Sequence, residues 1–228
     1  MHETELNHRI GRAWGKFAQH REELVDKKIS LYKRLRLFNA VVTPTVMYGS
    51  GSWVMTKTRD AELRTTQRKM LRAIVGKGRR QTQNEEDGQS VEDSDSVGSE
   101  RETPEAELVE DECLEPWVDW MRRVTHEALD AMEKLGLADW VEVHRRRLWR
   151  WAGHVARRED GRWTTKLLTW IPVGTRAQAH PMSRWNDVLE GFGAKLAELT
   201  HSEGTWIDVA QCRDTWAVIE DDFVAFSA

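Results

Sequence analysis

The residues with the clearest potential for chemistry are two adjacent carboxylates, Asp221 and Asp222. Carboxylates that converge at a rigid point, usually a hairpin between apolar strands, can hold Mg²⁺ for phosphoryl transfer. This pair has no strand context, because it lies in an amphipathic helical pattern on the polar side opposite Ile219 and Phe223. The sequence therefore predicts no metal site here.

Other catalytic arrangements are also missing from the sequence. The two cysteines, Cys113 and Cys212, have neither CxxC spacing nor a neighbouring histidine, and no GxSxG elbow or glycine-rich phosphate loop occurs. His154 is expected to pack beside Trp151 on a helix. The sequence predicts no catalytic residue, no cofactor and reduced thiols.

Binding chemistry is better represented. Between residues 145 and 151, guanidinium groups are interleaved with indoles, a composition suited to phosphate contacts and base stacking. The candidate nucleic-acid-binding residues are Lys33, Arg34, Arg36, Arg64, Arg68, Lys69, Arg72, Arg145, Arg146, Arg147, Arg150, His154 and Arg158. The same spacing also fits an amphipathic helix with solvated arginines and core tryptophans, so spacing alone leaves both interpretations open.

Charge divides the chain into three segments. Residues 1–80 hold 18 Lys and Arg against 7 Asp and Glu, residues 81–115 hold 1 against 14, and residues 116–228 hold 15 against 17. We predict a basic helical segment, an acidic disordered linker and a Trp-rich helical segment with these bounds. The linker is either a solvated spacer or a regulatory tail, because Ser90 and Ser99 each precede an acidic residue by three positions.

Apolar residues recur with the 3.6-residue period of α-helices on both sides of the acidic segment. Three helices are expected before it, the second disturbed by Pro44 and the third starting near Asp60 and stopping at Gly76. After it, one helix is expected over about 139–158 and one continuous helix over 206–226. No strand pattern occurs, so the predicted fold is all-α: two small helical bundles joined by the linker.

Membrane and secretory segments are not predicted. No apolar run approaches the roughly 20 residues needed to cross a bilayer, and the N-terminus lacks the apolar stretch of a secretory signal. We expect a protein without membrane contact, in the nucleus or the cytoplasm.

Two blocks of sequence resemble LINE-type (non-long-terminal-repeat) retrotransposon reverse transcriptases. The first is LYKRLRLFNAVVTPTVMYGSGSWVMT at 31–56, followed by LRTTQRKMLRAIVG at 63–76. The second is RRRLWRWAGHVARREDGRW at 145–163, followed by HPMSRWNDVL at 180–189. Both blocks are similar to the region that follows the palm in this family, and they occur in the family's order.

The sequence departs from the family pattern at two positions. Gly51 replaces an acidic residue, and His180 stands where Gly-Arg is common before proline. The acidic segment has no counterpart that we can name.

The resemblance implies the thumb and downstream part of such an enzyme, which would bind template and primer. The family's Mg²⁺-binding aspartates belong to a palm that would lie upstream of Met1, so polymerisation by this chain is not implied. We expect a non-catalytic fragment that binds RNA or an RNA/DNA duplex through basic helix faces, with Arg34, Arg64, Arg68 and Arg72 inferred from their helix faces as phosphate contacts.

Two alternatives stay open. One is a protein-interaction module whose tryptophans, especially Trp206 and Trp216, pack against a partner. The other is a truncated gene copy without selected function.

Overall fold

The computed structural model describes residues 2–81, 114–161, 163–169, 184–201 and 204–226. All regular secondary structure in these ranges is helical, which confirms the all-α prediction. Most of the predicted acidic linker, residues 82–113, lies outside the described residues. No helix in the described ranges is long and apolar enough to cross a membrane.

The helices before the acidic segment are α1 (His2–Gln19), α2 (Arg21–Val25), α3 (Leu31–Val46) and α4 (Lys57–Val75), with a 3-10 turn at Ser50–Ser52 between α3 and α4. The helices after it are α5 (Trp117–Lys134), α6 (Trp140–Ala156), α7 (Trp163–Thr169), α8 (Asp187–Gly191), α9 (Gly193–Thr200), α10 (Trp206–Gln211), α11 (Arg213–Val218) and α12 (Glu220–Ala225).

Several helix ends follow from local chemistry. Asp139 caps α6 by accepting a hydrogen bond from the backbone N–H of Glu142, and α4 ends where Gly76 adopts a left-handed conformation with φ 63°. The predicted start of α4 near Asp60 was wrong. The N-cap is Thr56, whose side chain accepts from the backbone of Arg59, and this places Asp60 in the first turn of the helix.

The prediction of one continuous helix over 206–226 was also wrong. The segment forms α10, α11 and α12. Cys212 takes an extended conformation with ψ 107° between α10 and α11, and Ile219, with φ −84° and ψ −5°, joins α11 to α12. Thr205 and Asp208 form a capping box that fixes the start of α10. The apolar period survives the breaks, since Trp216 and Phe223 are both buried.

Buried side chains form two apolar clusters. The first combines α1 to α5 with the start of α6 through Trp140 and Val141. The second combines the rest of α6, from Leu148 onward, with α8 to α12. The boundary between the clusters therefore lies inside α6 and does not coincide with the acidic segment, because α5 packs directly against α4.

Polar contacts join the two ends of the acidic segment. Gln81 and Leu114 form an isolated antiparallel bridge, and Glu115 N–H donates to the Arg80 carbonyl at 2.7 Å. Arg123 donates two hydrogen bonds to the Glu115 carboxylate, at 2.9 and 2.6 Å, and holds the pKa of this group at about 2. The segment therefore leaves the helical body and returns to it at one place.

Tryptophans serve as internal connectors in this fold. The Trp140 indole N–H donates to Thr43 at 3.0 Å, and Trp120 donates to the Lys77 carbonyl at 2.7 Å. Trp149 and Trp216 stack with ring centroids 3.5 Å apart, and each indole N–H donates to the other residue's backbone carbonyl. Large apolar rings with one N–H donor suit such sites, since they bury area and satisfy a carbonyl together.

Candidate nucleic-acid interface

Residues of the two motif blocks meet at the side of α6 that faces the 3-10 turn. Trp53 stacks on His144 with the ring planes 18° apart, and the Trp185 indole N–H donates to the Gly51 carbonyl at 2.8 Å. Arg147 donates to the backbone carbonyl of Met47. The segments that carry the sequence resemblance therefore form one contiguous junction, which positions the helices on either side of it.

His144 lies at the centre of this junction. It is 2% exposed, and its Nδ1 lies 2.9 Å from the Ser50 carbonyl oxygen. A carbonyl only accepts, so Nδ1 carries a proton and donates a hydrogen bond to Ser50. Burial lowers the pKa of His144 to about 4, despite the favourable bond to Ser50.

Arg145, predicted to contact nucleic acid, is tied to the end of the chain. Its guanidinium donates to the backbone carbonyls of Val224 and Phe226 at 3.0 and 2.8 Å, and to Asp60 at 3.3 Å. These contacts attach α12 to α6 and α4. Both terminal nitrogens of the Arg145 guanidinium therefore have hydrogen-bond partners within the protein.

Arg146 and Arg150 also have internal partners. Arg150 donates two hydrogen bonds from Nε and its terminal nitrogen to Glu220, at 2.8 and 2.7 Å. Arg146 donates to Glu142, Glu220 and Asp221, and the bond to Asp221 is the main reason that its pKa is raised. The carboxylates at the start of α12 thus neutralise the charges of Arg146 and Arg150 on α6.

Two other predicted binding residues of α6 are more exposed than Arg145 and Arg146. Arg147 and His154 are exposed, and the His154 ring centroid lies 5.6 Å from that of Trp151. Arg158 lies 3.5 Å from Asp160 in an exposed pair. The predicted packing of His154 beside Trp151 agrees with this placement.

Arg34 lies inside the helical body, and Arg72 lies partly buried between α4 and α5. Arg34 is buried and donates to the carbonyls of Ile29, at 3.0 Å, and Ile74. Arg72 donates to Thr125 at 3.0 Å and so links α4 to α5. Burial lowers the pKa of both side chains, an effect that nearby Asp26 opposes at Arg34. Both arginines connect helices in this structure.

The remaining predicted residues are on the surface. Arg64 is partly exposed and lies 3.5 Å from Asp139. Four others are exposed and pair with no carboxylate among the described residues: Lys33, Arg36, Arg68 and Lys69. These four side chains are free to meet an external phosphate.

The structure also contains a groove whose lining residues were not among the predicted binding residues. His8, Arg12 and Lys16 line it on α1, and Thr45 closes it on the α3 side, around an open volume of about 670 Å³. Gly11 and Gly15 also line this groove, and a Cβ added to either would meet no heavy atom within 4 Å. The signal was available in the sequence, since these basic residues lie opposite the apolar stripe of α1.

Within the described residues, no group of three or more His, Cys, Asp or Glu side chains is placed to hold a metal ion. Asp221 is exposed and accepts a hydrogen bond from Arg146 at 2.7 Å. Asp222 is exposed on the same helix.

Comparisons with known proteins give one informative relative. Over 223 residues the chain is 26% identical to an uncharacterized transposon-derived protein of Caenorhabditis elegans, a match that covers 94% of this chain and 63% of the relative. The chain therefore spans less than two thirds of that relative's length. No known family profile matches the chain. No solved structure matches it either. The similarity is consistent with a transposon origin of the chain.

Proposed function

We propose that the chain binds the phosphate backbone of RNA or of an RNA/DNA duplex through basic surfaces of α1, α3 and α4. The observation that supports this most directly is the set of exposed cations without carboxylate partners among the described residues: Arg12, Lys33, Arg36, Arg68 and Lys69. Unpaired surface cations release counterions from nucleic acid when they contact phosphates, and this release drives association.

The geometry reduces the number of predicted residues that we assign to the nucleic-acid interface. Arg34 and Arg145 each donate to two or more groups within the protein, so we assign them to holding the helices together. Arg72 donates to Thr125 and is only partly buried, so it is not part of the proposed interface but keeps donors that face outward. The groove on α1 supplies a concave surface in their place. The bare backbone at Gly11 and Gly15 lets a sugar-phosphate chain approach α1 closely, with Arg12 and Lys16 beside it.

The resemblance to the thumb region of LINE-type reverse transcriptases supports the same function, and so does the similarity to a transposon-derived protein. In this proposal the chain is the nucleic-acid-gripping part of such an enzyme and has no polymerase activity of its own. A primer-extension assay with Mg²⁺ should give no product. Extension by the purified chain would contradict the non-catalytic part of the proposal.

Binding of a labelled RNA/DNA primer-template at two salt concentrations tests the interface. The triple variant Lys33→Gln, Arg36→Gln, Arg68→Gln should bind more weakly, and its slope of log affinity against log salt should be shallower by about 3. The matched control is Arg122→Gln, Lys195→Gln, Arg213→Gln, which removes the same charge from other exposed positions. Equal losses in both variants, or no binding by the natural chain at low salt, would contradict the proposed interface.

In the protein-interaction alternative, the structure changes which tryptophans a partner could contact. Trp206 and Trp216, the residues expected to meet a partner, are buried inside the second cluster. The exposed tryptophans of the described residues are Trp14, Trp117, Trp151 and Trp163. A partner surface built on tryptophan would use these rings, of which Trp117 on α5 and Trp163 on α7 are the most exposed, at 56% and 76%.

A further inference from the structure

Tyr48, in the first motif block, is an exposed ring that a cation holds in place. It directly follows Met47, the C-cap of α3, and is 68% exposed. The guanidinium of Arg9 on α1 lies over the ring, 4.7 Å from its centroid, a distance at which a cation is attracted to an aromatic face. Because Arg9 covers one face, an exposure this high requires that the other face is open to solvent.

Arg9 is itself fixed by an ion pair. Its Nε donates to the Glu5 carboxylate at 2.7 Å, one helical turn earlier on α1. The carboxylate offsets the charge of Arg9, so this side chain supports the Tyr48 ring and is not needed as a phosphate contact. The ring is thus oriented before any ligand arrives, which lowers the entropic cost of stacking a flat group on it.

The basic groove of α1 lies beside this ring. Its lining includes His8 and Arg12, which flank Arg9 along α1. It also includes Thr45, which precedes Tyr48 by three residues. Both partners of the Arg9–Tyr48 contact therefore lie within about one helical turn of the groove.

Uncompensated positive charge lies further along the groove. Arg12 is exposed and Lys16, which is partly exposed, donates to the neutral side chain of Gln19 at 3.0 Å. Neither cation pairs with a carboxylate among the described residues. The two are four residues apart, or about 6 Å along the helix axis, so each can meet a different phosphate of one strand. A bound strand would place its phosphates here, away from Glu5, and a base at Tyr48.

We propose that the α1 groove and Tyr48 form a site for single-stranded nucleic acid, in which one unpaired base stacks on the open face of Tyr48 while neighbouring phosphates contact Arg12 and Lys16. Bases inside a duplex are stacked on their neighbours, so only an unpaired base can place a face on this ring. The inference rests on the proposed nucleic-acid binding and assigns this surface to the unpaired part of a template or primer. Stacking on an aromatic side chain accepts any base, so no sequence preference is expected.

An oligothymidylate and an abasic strand of the same length provide a matched pair of probes, because they carry the same phosphates and differ in the bases. Fluorescence anisotropy of the labelled strands with the full chain should show about tenfold tighter binding of the oligothymidylate, the effect of stacking one base. Oligouridylate should behave in the same way, since stacking uses the base and not the sugar. Equal affinity for the base-containing and abasic strands would overturn the proposal.

The two tyrosines of the chain supply the test variant and its control. Tyr48→Ala should remove the preference for the base-containing strand, whereas Tyr48→Phe should keep it because the aromatic face remains. Tyr32→Ala, at the start of α3, removes the other tyrosine, which is 46% exposed, and should also keep the preference. A preference that survives Tyr48→Ala would place the stacking at another ring and overturn the proposal.

The groove is tested by its charges. The double variant Arg12→Gln, Lys16→Gln should weaken both strands by the same factor, and the slope of log affinity against log salt should become shallower by about 1.4. The matched control is Arg122→Gln, Lys195→Gln, at exposed positions on α5 and α9, and should change both affinities much less. Equal losses in the two variants would contradict the placement of the strand in this groove.

The folding of each variant is checked by helical circular dichroism. If Tyr48→Ala unfolds, Tyr48→Leu replaces it, because leucine keeps an apolar side chain without an aromatic face. Binding of a fully paired RNA/DNA duplex that persists without any preference for base-containing strands would remove this site and leave the proposed function standing. No binding of duplex or single strands at low salt would contradict both.

Discussion

Inside the junction, one histidine is kept neutral by its surroundings, and this gives a pH-dependent stability. The pKa of His144 is about 4 in the folded chain against an ordinary value of 6.5. Between these values the unfolded chain binds a proton that the folded chain does not. The free energy of unfolding should therefore fall as the pH falls through this window, by up to about 3 kcal/mol below pH 4.

Urea denaturation at several pH values measures this effect, with His144→Asn as the comparison. Asparagine offers a neutral N–H donor for the Ser50 carbonyl but does not titrate. The variant should lose the part of the pH dependence that falls between pH 6.5 and 4. The same slope in both proteins would mean that other groups dominate the acid sensitivity.

Gly153, in the second motif block, is required by close packing. A Cβ at this position would lie 2.4 Å from Nε1 and 2.7 Å from Cδ1 of Trp216. That indole cannot move aside easily, because it stacks on Trp149 and donates to its carbonyl. Overpacking of this kind usually costs about 1–3 kcal/mol, which exceeds the gain in helix propensity from glycine to alanine of about 1 kcal/mol.

We expect Gly153→Ala to lower the free energy of unfolding in urea titrations. Gly15→Ala on α1 is the control, since its Cβ would meet no heavy atom within 4 Å. This second substitution should leave stability unchanged or raise it by up to about 1 kcal/mol. A Gly153→Ala protein as stable as the control would argue against the close contact with Trp216.

At the scale of helices, α12 is held to α6 by charge. Burial alone would raise the pKa of Glu220, but hydrogen bonds from Arg150 and Arg146 outweigh it and the pKa is lowered. The interaction therefore stabilises the fold above the ordinary glutamate pKa and is lost as the pH falls through the lowered value. Because Arg150 is largely exposed, the whole contact should contribute only about 1 kcal/mol.

Glu220→Gln tests this attachment. We expect faster amide hydrogen exchange over residues 220–226 and a loss of stability of about 1 kcal/mol. Asp221→Asn is the matched control, because Asp221 is exposed and accepts a single hydrogen bond, from Arg146. If both variants exchange at the natural rate, α12 is held by its apolar contacts and by Arg145.

The helices show what sequence patterns can and cannot predict here. The 3.6-residue period of the apolar residues predicted the helical class, and Asp139 and Gly76 marked two helix ends correctly. The break at Cys212 carried no glycine or proline, and an unbroken apolar period continued through it. The arginine spacing on α6 identified a cationic face, but periodicity contains no information on Glu220, about 70 positions away, which covers that face.

At the scale of the whole molecule, the charge of the acidic segment is opposite in sign to that of the basic surfaces. Residues 82–113 carry 13 acidic residues and one arginine, so a chain without them would have a net charge of +8 instead of −4. The ends of this segment are already joined by the Gln81–Leu114 bridge and by Glu115. A short loop can therefore replace the 32 residues without moving α4 or α5.

We expect the shortened chain to keep its helical circular dichroism and to unfold at higher urea. Shortening a loop from 32 to about four residues lowers the free-energy cost of closing it on folding by about 2 kcal/mol at most. Its affinity for an RNA/DNA duplex should rise, most strongly at low salt, because the acidic residues no longer repel phosphates. Fluorescence anisotropy at two salt concentrations measures this.

The control is a chain of natural length in which the 13 acidic residues of 82–113 are replaced by Asn and Gln. If charge is responsible, this control gains duplex affinity in proportion to the charge removed but does not gain the stability of the short loop. If only the shortened chain binds more tightly, the segment acts by occupying space near the basic helices. Unchanged affinity in both would show that the acidic segment stays away from the duplex, and that α1, α3 and α4 bind phosphates independently of it.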